Sequence, residues 1–115
     1  MAVIQNTGVK LPTPFGNASM VTWTNVVTGN TGSPIENPTF SDRSVQVTGT
    51  FGGATCTIEG SNDGTNWATL TDPAGVATTF TAAGLKQILQ VTRYIRPNVS
   101  AGAGTLTINL LIVGK

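Results

Sequence analysis

Few side chains in this sequence could carry out acid–base, nucleophilic or metal chemistry. The chain has no histidine, which removes the commonest general base, the usual catalytic triad and imidazole metal ligands. Its single cysteine, Cys56, alternates with apolar residues, as expected for a small buried hydrophobe. The five carboxylates lack the spacing of a glycosidase pair; they are Glu36, Asp42, Glu59, Asp63 and Asp72. The sequence therefore predicts a protein that is not an enzyme and that needs no cofactor.

The run Ser61–Asn66 (SNDGTN) most suggests a metal site, because Asp63 and its neighbours offer oxygen ligands. A calcium loop of the EF-hand type needs oxygen ligands at alternating positions and a closing bidentate glutamate, and this run lacks both. Asn and Asp tolerate left-handed backbone angles, and Gly64 accepts a positive φ. A hairpin turn accounts for every residue, so we predict a hairpin that binds no metal.

Aromatic residues raise the possibility of carbohydrate binding, since sugars stack on aromatic rings. Trp23, Trp67 and Tyr94 are the relevant side chains. Trp67 follows a predicted turn and could lie at a strand end, where a sugar platform could form. The alternative is that both tryptophans are large core or interface residues in strands, which favour aromatic side chains.

A late segment, RYIR, combines residue types that are enriched in protein interfaces. Its Arg93, Tyr94 and Arg96 are predicted to contact a partner. Strand alternation would place Arg93 on a largely apolar face and Arg96, beside Tyr94, on the opposite face. The alternative is that the two arginines are solvated charges on a strand.

Composition limits the kinds of protein that fit. The 115 residues, 39% hydrophobic and 10% charged, suit one compact domain rather than a disordered segment. A net charge of +1 with six scattered basic residues argues against nucleic-acid binding. The first ten residues lack the pattern of a signal peptide, and the apolar run Leu106–Val113 is too short for a membrane span. We expect a protein that is made in the cytoplasm and has neither nucleic acid nor membrane as a partner.

Two neighbouring runs alternate between apolar and polar residues with the period of two that is typical of β-strands. They are Ser44–Phe51 (SVQVTGTF) and Ala54–Ser61 (ATCTIEGS). Gly52-Gly53 between them has the length of a tight hairpin turn, so we predict that these two strands pair. Together with the last apolar strand, the alternation predicts a buried core of Val45, Val47, Phe51, Cys56, Ile58, Leu106, Ile108 and Leu110.

Further strands are predicted where β-branched or alternating runs are flanked by turn residues. Ala82–Gln90 contains several good helix formers and could hold one helical turn, but it is too short for a stable helix. About seven or eight strands with short turns are typical of a sandwich or barrel, so we predict an all-β antiparallel sandwich. The further strands are Met20–Val27, Trp67–Leu70, Val76–Thr81, Gln87–Pro97 and Thr105–Val113.

The first nineteen residues differ from the rest, because isolated apolar residues stand among Gly and Pro. We predict that residues 1–19 form an extended arm, able to reach about 60 Å, and that 20–115 form the single sandwich domain. The alternative is that the first few residues pair as an edge strand of the same chain. The predicted partner-binding residues of the arm are Val3, Ile4, Leu11, Pro12 and Phe15.

From Ser61 onward, three segments together resemble small structural proteins of tailed bacteriophages. They are SNDGTNWATLTDPAG, FTAAGLKQI and RYIRPNVSAGAGTLTINLLIV, within residues 59–113, about half of the chain. The pattern is a turn before Trp67, the RYIRP strand, and a Gly/Ala turn into a final apolar strand. It is most similar to the head decoration (cement) proteins of short-tailed phages.

The resemblance implies a jelly roll of about eight strands that binds adjacent major capsid proteins on the outer surface of the capsid. We accordingly expect a virion protein, synthesised in the bacterial host cytoplasm, that forms a homo-oligomer, either a dimer or a trimer. Related sequences among tail and neck proteins leave a connector role open. A carbohydrate-binding module of a tail fibre or tailspike is the remaining alternative.

Overall fold

The computed structural model describes residues 3–11, 17–36 and 42–114. The described residues contain no helix, and therefore no helix that could cross a membrane. Seven strands have five or more residues and five have only two, which agrees with the number of strands expected from the sequence. In chain order the strands are β1 Val3–Ile4, β2 Asn6–Lys10, β3 Asn17–Val27, β4 Thr31–Gly32, β5 Ile35–Glu36, β6 Asp42–Thr50, β7 Thr55–Ser61, β8 Ala68–Thr69, β9 Thr79–Phe80, β10 Gly84–Ile88, β11 Tyr94–Ser100 and β12 Thr105–Gly114.

The strands form two sheets that pack face to face as an all-β sandwich of the jelly-roll class, confirming the predicted fold. Sheet A has the order β1-β4-β11-β7-β8, with β5 also pairing with β11 and β9 with β7. Sheet B has the order β10-β6-β12-β3-β2. The strand pairs are antiparallel except for the short parallel pair of β1 and β4.

The hydrophobic core lies between the two sheets, and the alternation in the sequence predicted it correctly. Seven of the eight predicted core residues are buried, while Phe51 is half-buried and packs against the same cluster. Trp23 is also a core residue, and its indole Nε1 donates to the Ser33 carbonyl at 3.0 Å. A buried tryptophan thus finds a partner for its single donor.

The predicted hairpin of the Ser44–Phe51 and Ala54–Ser61 runs is wrong, because β6 and β7 belong to different sheets. The turn itself forms, with the Ala54 N–H donating to the Phe51 carbonyl at 2.7 Å. It carries the chain across the sandwich. A Cβ on Gly52 would lie only 2.2 Å from the Ala103 carbonyl oxygen, so the glycine permits close packing against a second turn. Period two specifies which residues face the core, but not which strands pair.

The predicted strand Gln87–Pro97 is instead two strands, β10 in sheet B and β11 in sheet A. The segment between them is held by polar contacts: the Leu89 N–H donates to the Thr71 carbonyl at 2.8 Å, and Nη2 of buried Arg43 donates to the Thr92 carbonyl at 3.0 Å. The helical turn considered for Ala82–Gln90 does not form, because β10 pairs along its length with β6. Tertiary pairing thus overrides a weak helical propensity.

The N-terminal segment is part of the sandwich rather than a separate arm. Its first strand, β1, pairs with β4, and β2 pairs with β3, so the alternative of edge strands within the same chain is the one observed. The expected boundary between residues 19 and 20 falls inside β3. Ile4 packs against the core, because strand alternation turns it inward. Pro12 and Phe15 lie outside the described residues, and partner contact by Val3 and Leu11 stays a prediction.

Candidate functional site

The outer face of sheet A carries a cluster of charged and aromatic side chains. Strand alternation turns Glu59 on β7 and Arg96 on β11 outward, and the register places them opposite each other. Arg96 Nε donates to Glu59 Oε1 at 3.0 Å, and Asn98 Nδ2 donates to Glu59 Oε2 at 3.4 Å. The Arg96 guanidinium lies 4.1 Å from the centre of the Trp67 ring. We call Glu59, Trp67, Arg96 and Asn98 the Trp67 cluster.

The turn before Trp67 is held by one carboxylate. Asp63 Oδ1 accepts from the Ser61 hydroxyl at 2.9 Å and from the Thr65 and Asn66 N–H groups, both at 2.8 Å. Its Oδ2 accepts from Asn66 Nδ2 at 2.9 Å. These hydrogen bonds, led by those from Asn66 and Thr65, hold the pKa of Asp63 well below its usual range. Both carboxylate oxygens of Asp63 therefore accept hydrogen bonds that stabilise the turn.

The three residues predicted to contact a partner lie close together. Tyr94 and Arg96 point outward from β11, and the Arg93 guanidinium lies 5.1 Å from the Tyr94 ring centre. Arg93 Nε also donates to Glu36 Oε2, and this hydrogen bond, with the nearby negative charge, raises the pKa of the arginine. Each cation therefore already has a carboxylate and an aromatic ring within the chain. Binding of a partner by these residues stays a prediction.

The groups considered for catalysis are committed to structural roles. Cys56 is fully buried, and burial raises the pKa of its thiol to about 12, so the nucleophilic thiolate does not form at neutral pH. Asp72 Oδ1 accepts from the Ala74 and Val76 N–H groups, both at 2.9 Å. Its Oδ2 lies 3.8 Å from Lys86 Nζ. Within the described ranges, no three His, Cys, Asp or Glu side chains come together as a metal site.

The outer face of sheet B has a different character, because apolar residues occupy outward positions. Leu85 on β10 is 67% exposed and Val9 on β2 is 60% exposed, and half-buried Leu111 and Met20 lie between them on β12 and β3. We call these four residues the apolar row. By strand alternation, Asp42 is the one charged side chain that the described strands place on this face.

Two shallow clefts open on the same outer face of sheet B. One has a volume of about 190 Å³ and the other about 130 Å³. They adjoin, because Ser44 and Leu111 line both. One pair of polar side chains beside the larger cleft is hydrogen-bonded, with Thr22 Oγ1 donating to Asn109 Oδ1 at 2.8 Å. The larger cleft is lined by Met20, Ser44, Gln46, Leu85, Asn109 and Leu111.

The sequence-based site prediction missed the apolar row. The sequence did contain a sign of it. Met20 and Leu111 are next to the core residues Val21 and Leu110, so strand alternation turns them outward. A single outward apolar residue is common, whereas several grouped on one sheet face mark a candidate interaction surface.

Comparison with known proteins supports the fold. No protein-family model matches the sequence, and neither does the sequence of a curated protein. Among solved structures, the SPBc2 prophage-derived protein YomS is similar, with a TM-score of 0.67, 10% identity, and coverage of 84% of this chain and 95% of that one. A recombinant oxalate oxidase in complex with glycolate is similar at a TM-score of 0.50 and 13% identity. The chain covers 51% of that enzyme, with 95% of its own residues aligned. At these identities the likeness concerns the fold, which a prophage-derived protein and an enzyme share with this chain.

Proposed function

We propose that this chain is a non-enzymatic structural protein of a bacteriophage virion. In this proposal it is a decoration protein that binds the outer surface of the capsid, with the major capsid protein as its partner. The observation that carries the proposal is the outer face of sheet B, where an apolar row lies on a surface almost without charge. The resemblance of residues 59–113 to phage structural proteins and the fold shared with a prophage-derived protein support the phage assignment.

The present bonds of the reactive groups support the proposal that the protein is not an enzyme. The carboxylates of Glu36, Glu59, Asp63 and Asp72 bind arginine, lysine or turn N–H groups. A general acid or base must reach a substrate proton within hydrogen-bond distance, and these groups would first have to give up their structural partners.

The uncharged face suits protein binding because it can lose its water at low cost. Burying an unpaired charge is expensive, whereas burying apolar groups and hydrogen-bonded polar groups is favourable or nearly neutral. The Thr22–Asn109 hydrogen bond already pairs two of the polar groups on this face.

The size of the face is also suitable. The sheet has five strands, and its central strand β12 has ten residues. At about 4.8 Å between strands and about 3.4 Å per residue, such a face covers roughly 700 Å². A standard protein interface buries about 800 Å² on each partner. One face of this sandwich could therefore supply most of a specific interface.

A binding experiment with a matched control tests the proposal. Capsids of the encoding phage that lack this protein would be incubated with the wild type, Leu85→Glu and Val76→Glu. Leu85 lies in the apolar row, whereas Val76, 53% exposed, lies in the Asp72–Val76 turn. Leu85→Glu should weaken binding at least about tenfold, because it buries an unpaired carboxylate at the interface. Val76→Glu should bind as the wild type does.

Two results would contradict this proposal. Failure of the wild-type protein to bind capsids would contradict the proposed decoration function. Equal binding by both variants and the wild type would leave the function standing but move the binding site away from the outer face of sheet B.

The Trp67 cluster favours a second candidate function, glycan binding by a tail-fibre or tailspike protein. An indole ring beside Glu59 and Asn98 combines a stacking surface with hydrogen-bonding groups. Arg96 already covers one side of that ring at 4.1 Å, so a sugar would have to stack on the other side. Titration with host surface polysaccharide, followed by tryptophan fluorescence, tests this candidate. Saturable quenching in the wild type that Trp67→Ala abolishes would favour it over capsid binding.

A further inference from the structure

The strand β2 differs from the other sheet edges. The outermost strands of sheet A, β1 and β8, have two residues each, so they offer little backbone for pairing. At one edge of sheet B, β10 lies beside the 71–77 segment, with Lys86 Nζ donating to the Ala77 carbonyl at 3.5 Å. At the other edge, β2 has five residues, and Thr7–Lys10 are exposed. An exposed edge of this length is a template for pairing with another strand.

The register identifies the backbone groups that β2 leaves open. The Leu11 N–H donates to the Ala18 carbonyl at 2.8 Å, and the pairing continues with Val9 opposite Met20 and Thr7 opposite Thr22. In an antiparallel pair, alternate residues direct their N–H and C=O groups to the neighbouring strand. Thr7 and Val9 therefore bond to β3, and the residues between and beside them direct their backbone groups away from it.

One of these outward groups already has a partner in the chain. The Asn6 N–H donates to the Ser33 hydroxyl at 3.0 Å. The Asn6 carbonyl, and both backbone groups of Gly8 and Lys10, point to the side of β2 that is opposite β3. This is the recognition pattern of an added antiparallel strand.

Gly8, at the centre of β2, has no role in the fold of its own chain that would require a glycine. Its φ is not positive, and a Cβ built on it meets nothing within 4 Å. Glycine inside a strand weakens that strand, and it often marks a place where another backbone approaches closely. This glycine stands midway along the exposed edge.

We propose that β2 pairs antiparallel with β2 of a second copy of this chain, around a two-fold axis at Gly8. The two sheets B then form one continuous sheet of ten strands. Each Gly8 exchanges its N–H and C=O with the Gly8 of the other copy, and each Lys10 N–H donates to an Asn6 carbonyl. On the outer face Thr7 lies opposite Val9, a favourable β-branched pair.

The pattern of the strand favours a second copy as the partner. A two-fold axis at Gly8 uses all five residues of β2 and places each Lys10 opposite an uncharged Asn6. A shift of the register by four residues would instead place the two lysines opposite each other, which is destabilising. The edge is thus self-complementary in the register centred on Gly8.

The two-fold axis also aligns the outer faces of the two sheets on the same side of the dimer. The two apolar rows then lie on one continuous face, with Val9 of each copy beside Thr7 of the other at the junction. Two linked binding faces raise the overall affinity, so the dimer would bind a capsid more tightly than a single copy does. This last consequence rests on the proposed function, whereas the dimer itself does not.

Sedimentation equilibrium of the full chain, without capsids, tests the dimer against two variants of Gly8. The mass of the wild type should rise with concentration from one chain of 11.8 kDa towards two. Gly8→Pro removes an N–H that makes no bond to β3, and proline is tolerated at such edge positions, so the fold should persist while self-association weakens at least tenfold. Gly8→Ala keeps the N–H and has room for its Cβ, so it should associate as the wild type does.

A cross-link provides an independent readout that does not need Gly8→Pro to fold. Facing residues in a bonded antiparallel pair have Cα atoms about 5.5 Å apart, which is within the range of a disulfide. Gly8→Cys should therefore cross-link to a second copy under mild oxidation, whereas Thr57→Cys on the outer face of sheet A should not. The native Cys56 is buried and does not compete.

Any of three results would overturn the dimer. They are a wild-type chain that stays a monomer at millimolar concentration, a folded Gly8→Pro variant that associates as tightly as the wild type, and a Gly8→Cys variant that does not cross-link. Loss of capsid binding in Leu85→Glu with the dimer intact would separate the proposed function from this inference.

Discussion

The two outer faces of the sandwich expose different kinds of side chain to solvent. Sheet A presents charged groups that are bound to one another, with Arg96 between Glu59 and Trp67. Sheet B presents threonine, serine, asparagine and glutamine around the apolar row, with Asp42 as the one charge among its described outward residues. The first arrangement stabilises the isolated domain, and the second leaves a surface that can be covered by another protein.

The difference shows why a cluster of charges is not by itself a binding site. The charged side chains of sheet A would have to exchange partners to bind anything, and each exchange forfeits an existing bond. The polar groups of sheet B are neutral, so they can be buried with only hydrogen bonds to satisfy. Interface cores are depleted of charged residues in the same way.

The largest effect on stability is expected from sheet A. Glu59→Ala leaves Arg96, whose side chain is only 22% exposed, without its carboxylate. It should lower the free energy of unfolding by about 1–3 kcal/mol, the usual cost of leaving a desolvated polar group without its partner. Gln46→Ala on sheet B should change it by less than about 0.5 kcal/mol, as exposed substitutions do. Urea denaturation measures both, and equal losses would contradict the contrast between the faces.

A smaller effect is expected from the polar pair on sheet B. Asn109→Leu leaves the Thr22 hydroxyl without its acceptor and should cost about 0.5–1.5 kcal/mol, whereas combining it with Thr22→Val should recover most of that loss. A double-mutant cycle on the free energy of unfolding tests this. If the loss of unfolding free energy in the double variant equals the sum of the losses in the two single variants, the two side chains are not energetically coupled.

A pH-dependent effect is expected at the turn that precedes Trp67. The pKa of Asp63 is lower in the folded chain than in the unfolded chain. Its contribution to stability is therefore complete above the unfolded pKa of about 3.9 and is lost as pH falls through the lower folded value. Asp63→Asn should lower the melting temperature at pH 7, and the difference from the wild type should shrink towards pH 2. A difference that stays constant with pH would show that the charge of Asp63 is not responsible.

The smallest expected effect is that of calcium on the same turn. Both Asp63 oxygens accept hydrogen bonds from within the turn, so a cation would have to replace those bonds. Millimolar calcium should leave the melting temperature unchanged, and calorimetry should show no saturable heat. A rise of several degrees would mean that the Trp67 side of sheet A is a ligand site after all.

Much of the fold could be predicted from alternation, because each amphipathic strand turns its apolar residues to the same interior. Val45, Val47, Cys56 and Ile58 were correctly placed in the core for this reason. Strand partners could not be predicted in the same way. The turn at Gly52 connects two strands that face each other across the core, and a hairpin turn has the same local sequence.

The candidate site was predicted less well, because sequence position does not show which charges neutralise one another. The sequence indicated Arg93 and Arg96, but the carboxylates that bind these two arginines come from distant strands. The N-terminal segment was separated from the domain because its glycines and prolines suggested a break. In the structure, Gly8 instead belongs to a paired edge strand.

The position of the last described strand has a consequence for how the chain folds during synthesis. Strand β12, Thr105–Gly114, lies at the centre of sheet B, between β3 and β6. Strand β3 can pair with β2 and β6 with β10 before that, but neither strand has its central neighbour until β12 has been synthesised. Pairing strands that are far apart in sequence costs loop-closure entropy before the new contacts stabilise the chain. Folding is therefore expected to be slow, on a scale of milliseconds to seconds. Until β12 has been synthesised, the edges of β3 and β6 that face it stay unpaired, and a chain without β12 would leave sheet B without its centre.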